Sequence, residues 1–318
     1  MKMRSYGMRW RLLPLYFLIV AVLHTSCSAV SENYQTVSKD YQRAGENDQN
    51  QGGQDAPDGF IANSDEVVKQ IRAGLARYAS TITVRFSTVD DILDEMTDVA
   101  ENWVEAAVAE TDSPTEGDYI RYQYGGYTSR CDRTRDGAQW TYTLRIIPDY
   151  YGYLIEEQEA SAAAEELLAS PDLAPDAPAA EKIRAIYDWL CQNVQYDNVN
   201  GKYPHYHKSS TAHAALVRRF ATCQGYCVAL YRLLRSSGIS CRIVTGEAES
   251  LRGGLHAWII AAVDGRYYNL DPTWDAGQAE YRYFLVGETH FSDHVAGEAF
   301  RTEAFRTQYP MAPEDYQP

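Results

Sequence analysis

His256-Ala257-Trp258-Ile259-Ile260-Ala261-Ala262-Val263-Asp264-Gly265-Arg266-Tyr267-Tyr268-Asn269-Leu270-Asp271 reads as one antiparallel hairpin. Asp-Gly is a two-residue turn signal, because both central residues of such a turn adopt positive φ. The apolar and aromatic residues on either side suit strands. With Asp264-Gly265 as the turn, Val263 faces Arg266, Trp258 faces Asp271 and His256 faces Thr273. Side chains alternate between faces along a strand. His256 and Trp258 therefore share a face, and Asp271 lies diagonal to His256 on it. Diagonal neighbours stand about 7–8 Å apart, within reach of an imidazole–carboxylate hydrogen bond. Pro272 ends the ladder, since it has no N–H to donate. A histidine oriented by a carboxylate is part of a nucleophilic triad, and the nucleophile must come from elsewhere.

Upstream, Thr222-Cys223-Gln224-Gly225-Tyr226-Cys227 opens a helical run with Tyr226, Leu230, Leu233 and Leu234 on one face and Gly238 at its end. Thr222 can cap this helix, which places Cys223 in the first turn. A thiol there feels the positive end of the helix dipole, so its thiolate fraction is expected to rise. Gly225 leaves the backbone beside it approachable. Buried cysteines at helix ends are common without any chemistry. The signal lies in combining Cys223 with the His256–Asp271 hairpin, as thiolate, proton shuttle and orienting acid.

Cys223-Gln224-Gly225-Tyr226, the Leu-rich helix, Gly238-Ile239, Arg242-Ile243-Val244-Thr245-Gly246, His256-Ala257-Trp258 and Asp271-Pro272-Thr273-Trp274-Asp275 together resemble the core of the transglutaminase-like superfamily. The resemblance begins near Ile183, through Ile186-Tyr187-Asp188-Trp189-Leu190 and Val194-Gln195-Tyr196-Asp197, and runs to about Tyr283. It implies a papain-like α+β fold, with the cysteine helix packed on an antiparallel sheet. It also carries the nucleophile, base and orienting acid onto Cys223, His256 and Asp271. One departure is His213, in Thr211-Ala212-His213-Ala214-Ala215-Leu216, where relatives often have Tyr. The oxyanion hole has no assigned side chain. The backbone N–H of Cys223 is a natural donor, with Gln224 and Trp258 as substrate or oxyanion neighbours, and His294 could line the groove.

His205-Tyr206-His207 with His213 also reads as a metal site, but no Cys or carboxylate at ligand spacing accompanies it. The expectation is no metal and no cofactor, and no calcium loop of EF-hand type is present. Cys131, Cys191, Cys227 and Cys241 allow three disulfide pairings. If Cys227 pairs, Cys191 or Cys241 is its expected mate, while Cys223–Cys227 would be a redox trap.

Beyond the core, Lys2, Arg4, Arg9 and Arg11 precede the apolar run Leu12–Leu23, a signal-peptide layout too short for a membrane span. Leu23-His24-Thr25-Ser26-Cys27 resembles a lipoprotein signal, although His24 stands where an aliphatic residue belongs; cleavage after Ala29 is the other reading. Residues 1–29 are thus read as an export signal. Residues 30–59 are polar and aperiodic, a tether of roughly 30 Å root-mean-square span. Residues 60–170 form a small α+β module. It has a helix through Val67, Ile71 and Leu75 capped by Ser64, and a strand at 81–86. A second helix is expected at 92–109, and strands at 119–127 and 140–147 about a polar loop. An Ala- and Glu-rich helix, Glu156–Leu168, precedes a Pro-rich joint at 170–178. Residues 171–318 hold the catalytic core, opening on a helix with Ile183, Ile186, Tyr187, Leu190 and Val194 on one stripe.

The 318 residues include 29 basic and 44 acidic side chains, a net charge of −15, which argues against a nucleic-acid binder. Such a surface would favour cationic substrates. The expected function is an exported thiol enzyme, extracellular or lipid-anchored through Cys27 to the outer face of the cell membrane. It would attack an amide carbonyl in a protein or peptide, with hydrolysis as peptidase or deamidase favoured over cross-linking. A non-catalytic cell-surface binding module is the reading from another class.

Overall fold

The structure, a computed structural model, describes residues 64–170, 173–199, 207–249 and 254–318. The stretches read as export signal and tether, Cys27 among them, lie outside the described residues, as do His205 and Tyr206. All described residues belong to one unit, Asp58–Pro318. Among them no helix is long and apolar enough to cross a membrane.

Val67, Ile71 and Leu75 recur at helical spacing and are the buried face of helix α1 (Ser64–Ala76). Strand β1 (Ile82–Thr88) and helix α2 (Met96–Ala107) follow where alternation and period place them. The short helix α3 (Asp118–Arg121) occupies part of the stretch expected as a strand. Strands β2 (Tyr124–Asp136) and β3 (Gln139–Tyr150) make a far longer hairpin than expected. Residues 128–136 are strand, not loop. The sheet order is β1-β3-β2, so β2 is an edge with most of this stretch exposed. Arg130, Asp132 and Arg135 face water there and carry no apolar alternation, which is why the sequence reads as a loop. One core unites Val84, Phe86, Leu144 and Ile146 of this sheet with Ile71, Met96 and Val104 of the helices.

The second half opens with helices α4 (Leu154–Leu168) and α5 (Ala179–Asn193). A two-residue parallel pair, β4 (Gln195–Tyr196) with β5 (Phe220–Ala221), brackets helix α6 (Ala212–Leu216). Helix α7 (Cys223–Ser236) then runs through the core, buried from Gly225 to Leu234. A helix enclosed on every side needs apolar residues all round, and this one has them except at Arg232, whose guanidinium lies over the Tyr119 ring. Each fully buried Leu contributes on the order of 1.5–3 kcal/mol.

Strands β6 (Cys241–Ala248), β7 (Gly254–Val263), β8 (Arg266–Leu270) and β9 (His294–Ala296) form an antiparallel sheet in the order β8-β7-β6-β9. The hairpin register is the one derived above: Val263 pairs with Arg266 and Ile259 with Leu270. Asp264 and Gly265 both take positive φ, 51° and 79°, as the turn requires. Ala257, Ile259 and Ala261 point into the core that contains α7. Trp258 and Ile260 point the other way, into a second core with Tyr283, Phe291 and Tyr309. The α+β fold with its cysteine helix against an antiparallel sheet is therefore present.

Asp118 fastens α3 to this sheet. Arg242 donates to its carboxylate from Nε at 2.7 Å and Nη2 at 3.1 Å, and the Ile243 N–H donates at 2.9 Å. The carboxylate is buried and fully paired, as a charge in that position must be.

Candidate active site

Cys223 is the first residue of α7 and is half-buried. The chain arrives there along a tightly bonded path. Gln195 and Asp197 donate backbone N–H bonds to the carbonyls of Arg219 and Ala221, both at 2.9 Å, and Thr222 N–H donates to Ser209 at 2.9 Å. Ser209 bonds the buried Asp197 carboxylate, which fixes the 208–210 turn beneath the helix. Thr222 holds the capping position but does not cap through its side chain. Its hydroxyl instead lies 3.0 Å from that of Ser210. Gly225 is required by proximity. A Cβ there would stand 2.5 Å from the Ser209 carbonyl oxygen and 3.0 Å from the Ala221 Cβ. The freedom read from sequence beside Cys223 is taken up by the chain's own backbone.

His256 sits opposite Gly246 of β6, beyond the point where the β8 ladder stops at Leu270. Its Nε2 meets Oδ2 of Asp271 at 2.7 Å, the diagonal contact that the register implied. Asp271 begins helix α8 (Pro272–Asp275) and accepts N–H bonds from Thr273 at 3.0 Å and Trp274 at 3.3 Å on its other oxygen. One carboxylate thus orients the imidazole and caps a helix. Nε2 being held, Nδ1 is the ring nitrogen left for a thiol, and His256 hydrogen-bonds Cys223. Burial pulls the imidazole's pKa down, but the bonds and charges of Asp271 and Cys223 outweigh it and lift it to about 10. Burial pushes the Asp271 carboxyl up, and its bonds to His256 and His294 reverse this, holding it below the ordinary range.

Trp274 lies nearly parallel to the His256 ring, with centroids 5.2 Å apart, and forms one wall of the site. Tyr196 lies on the thiol side. Its hydroxyl is pushed up to about 12, by burial first and then by the charges of Cys223, Asp197 and Asp271. The larger surprise is His294, read from sequence only as a groove residue. It is buried, and its Nε2 lies 3.2 Å from the same Asp271 oxygen that holds His256. Ser292-Asp293-His294 carries no periodic or motif signal, because the contact is made by a strand that returns from far along the chain.

The other residues singled out from sequence are placed elsewhere. Gln224 Nε2 donates to the Tyr122 carbonyl at 2.6 Å, which ties α7 to the segment after α3. Trp258 Nε1 donates to Asn269 at 3.2 Å and is packed behind His256. His213 meets Glu159 at 2.9 Å, and His207 stacks on Tyr151. His256, Asp271 and His294 have ligand atoms within 4.8 Å of one another, the spacing of a metal site. Asp271 Oδ2 is hydrogen-bonded to Nε2 of both His256 and His294. Among the described residues none of Cys131, Cys191, Cys223, Cys227 and Cys241 is in a disulfide, so none of the pairings considered forms there. Burial pushes the Cys191, Cys227 and Cys241 thiols well up, which leaves them inert.

Parts of this chain are similar to known proteins. Kyphoscoliosis peptidase of Mus musculus is 28% identical over 129 residues, covering 36% of this chain and 19% of that protein. The Homo sapiens protein of the same name is 28% identical over 130 residues, with the same coverage. The chain therefore spans about a fifth of the length of these relatives. A solved structure described as a TGase covers 73% of this chain and 63% of its own at 15% identity and a TM-score of 0.33. A structure described as a candidate cysteine protease from Cytophaga hutchinsonii covers 54% and 69% at 14% identity and a TM-score of 0.31. The model of the Transglutaminase-like superfamily matches residues 168–272, a stretch that contains Cys223, His256 and Asp271. Over these residues the chain is similar to the transglutaminase-like superfamily.

Proposed function

We propose that the chain is an exported thiol enzyme that attacks an amide carbonyl through Cys223. The observation that carries this reading is the 2.7 Å His256–Asp271 contact, with Cys223 bonded to the same imidazole. His256 takes the thiol proton on the nitrogen facing Cys223, while Asp271 holds the other nitrogen and balances the imidazolium. The thiolate sulfur bonds the carbonyl carbon, and the oxygen gathers negative charge. The Cys223 N–H, at the start of α7, has no partner within the helix and is a natural donor to that oxygen. When the intermediate collapses, His256 returns its proton to the departing amine or ammonia and leaves an acyl-thioester. His256 then deprotonates the acceptor that releases the acyl group.

Water as the acceptor makes the protein a peptidase or deamidase, and an amine makes it a cross-linking enzyme. We favour water, in keeping with relatives named as peptidases. Export, through the signal-like residues 1–29, would place this activity outside the cell membrane or on its outer face.

The test combines the full chain, or its Cys223→Ala variant, with a mixed protein substrate and a fluorescent primary amine. Ammonia, new chain termini and incorporated amine are followed together. New termini that require Cys223 support the peptidase, ammonia alone the deamidase and incorporation the cross-linker. Silence in all three, with no selective thiol reactivity at Cys223, would overturn the enzyme reading in favour of a surface binding module.

A further inference from the structure

We propose that His294 is a positioning residue, an imidazolium clamped between Asp293 and Asp271 that fixes Asp271 and limits how tightly His256 holds its proton. This rests on the triad reading above and adds a member to it. His294 lies outside residues 168–272, the stretch that matches the superfamily model.

The first argument is the count of donors. His294 Nδ1 lies 2.8 Å from Oδ1 of Asp293, and Nε2 lies 3.2 Å from Oδ2 of Asp271. An ionised carboxylate only accepts, so each ring nitrogen must donate, and an imidazole donates from both only as a cation. Asp293 is itself held by the Tyr283 hydroxyl at 2.7 Å and by Arg282 at 3.4 Å. Burial pushes its carboxyl up, but the bonds from Tyr283 and His294 keep it below the ordinary range.

The second argument is the cage. Phe291 stacks on the His294 ring at 4.0 Å, and Trp274 lies 4.4 Å away. The edges meet Trp258 at 5.2 Å and Tyr283 at 5.5 Å. Aromatic faces stabilise a cation, and they deny it water that could compete for its protons.

The third argument is that the fold makes room for it. Strand β9 places His294 opposite Ala248 and Ala296 opposite Gly246, where a Cβ would stand 2.1 Å from the Val295 carbonyl oxygen. Any side chain at residue 246 would displace the strand that delivers the ring.

The consequence follows from charge. Asp271 accepts four hydrogen bonds, from Thr273, Trp274, His256 and His294, which fills its acceptor capacity and locks its rotamer. The His294 cation also offsets part of the field that Asp271 exerts on His256, whose ring centroid is 5.3 Å away. Without that offset, His256 would hold its proton more tightly and return it to the leaving group less readily. The charged and titratable groups facing His294 are Asp271 from α8, His256 from β7 with Cys223 beyond it, and Asp293 and Tyr283 with Arg282 behind them. Glu288, Arg301 and Arg306 share the cavity on its far side.

The test uses the full chain and needs no substrate. Nitrogen-15 histidine spectra should find both His294 nitrogens protonated at pH 7, and Asp293→Asn should bring the loss of one proton to lower pH. In parallel, the rate of Cys223 alkylation by iodoacetamide is followed against pH. Removing a cation about 5 Å from His256 should move the profile of His294→Gln up by about one pH unit, a tenfold rate change at fixed pH on the limb. A side chain that only packs would scale the rate without moving the limb. A singly protonated His294 at pH 7 would overturn the proposal. So would a His294→Gln profile that stays in place while His256→Ala still alters it. A wild-type profile indifferent to His256→Ala would overturn the triad reading and this proposal together. Should His294→Gln fail to fold, the wild-type and Asp293→Asn spectra decide.

Discussion

Replacing Asp271 by Asn keeps the shape of the site and reverses its chemistry. One oxygen of Asp271 accepts from the N–H groups of Thr273 and Trp274, so the amide oxygen of Asn must stay on that side. Turning it would set its NH2 against two backbone N–H groups, which cannot give up their protons as the imidazoles of His256 and His294 can. The NH2 therefore faces His256 Nε2, where the carboxylate oxygen lay at 2.7 Å. As a donor, it forces Nε2 to accept and puts the neutral ring's proton on Nδ1, the nitrogen facing Cys223. The base is then in the wrong tautomer to take the thiol proton. The lost charge acts in the same direction. An opposite charge this close is worth roughly 1–3 pKa units, so His256 should fall from about 10 towards roughly 7–9. Turnover should drop on the order of 10⁴-fold, the loss that the same change of tautomer causes in serine triads. The assay is the pH dependence of Cys223 alkylation, beside turnover on whichever amide substrate emerges. A profile and turnover within twofold of wild type would refute the reasoning.

Three further outcomes are expected. Gly225→Ala should lower stability by about 1–3 kcal/mol in chemical denaturation, because its Cβ meets backbone at 2.5 Å; an unchanged midpoint would contradict that. Asp118→Ala leaves the Arg242 guanidinium short of its main partner and should cost about 3–5 kcal/mol, read the same way. The third concerns pH. His256 is lifted from 6.5 to about 10, so its contribution to stability is complete below about 6.5 and is lost as pH rises through about 10. Melting temperatures across that window should therefore fall more steeply for wild type than for His256→Gln, and parallel curves would count against it.

The parts of the site legible in the sequence were those fixed by local rules. Asp264-Gly265 set a turn, the turn set a register, and the register brought His256 to Asp271. Cys223 could be placed at a helix start because Thr222, Gly225 and the following leucines mark one. What stayed hidden depends on contacts between distant segments. Gln224 looks like a site residue from its neighbour Cys223, yet its amide bonds the carbonyl of Tyr122, 102 residues away. His294 reaches Asp271 only because β9 returns alongside β6, and nothing near Ser292 announces that return. The long β2–β3 hairpin was hidden for another reason. An edge strand wetted on both faces has no alternation to read, and Arg130 through Asp136 look like loop for that reason.

The central claim is that Cys223 owes its reactivity to the hydrogen bond it makes with His256, and Cys131 supplies an internal reference. Both are half-buried thiols of the same chain, and Cys131 lies in β2, away from the triad. Alkylation at pH 6, resolved by peptide mass spectrometry, should label Cys223 faster than Cys131, and His256→Ala should abolish the difference. Equal, slow labelling of the two thiols in the wild-type protein would contradict the claim.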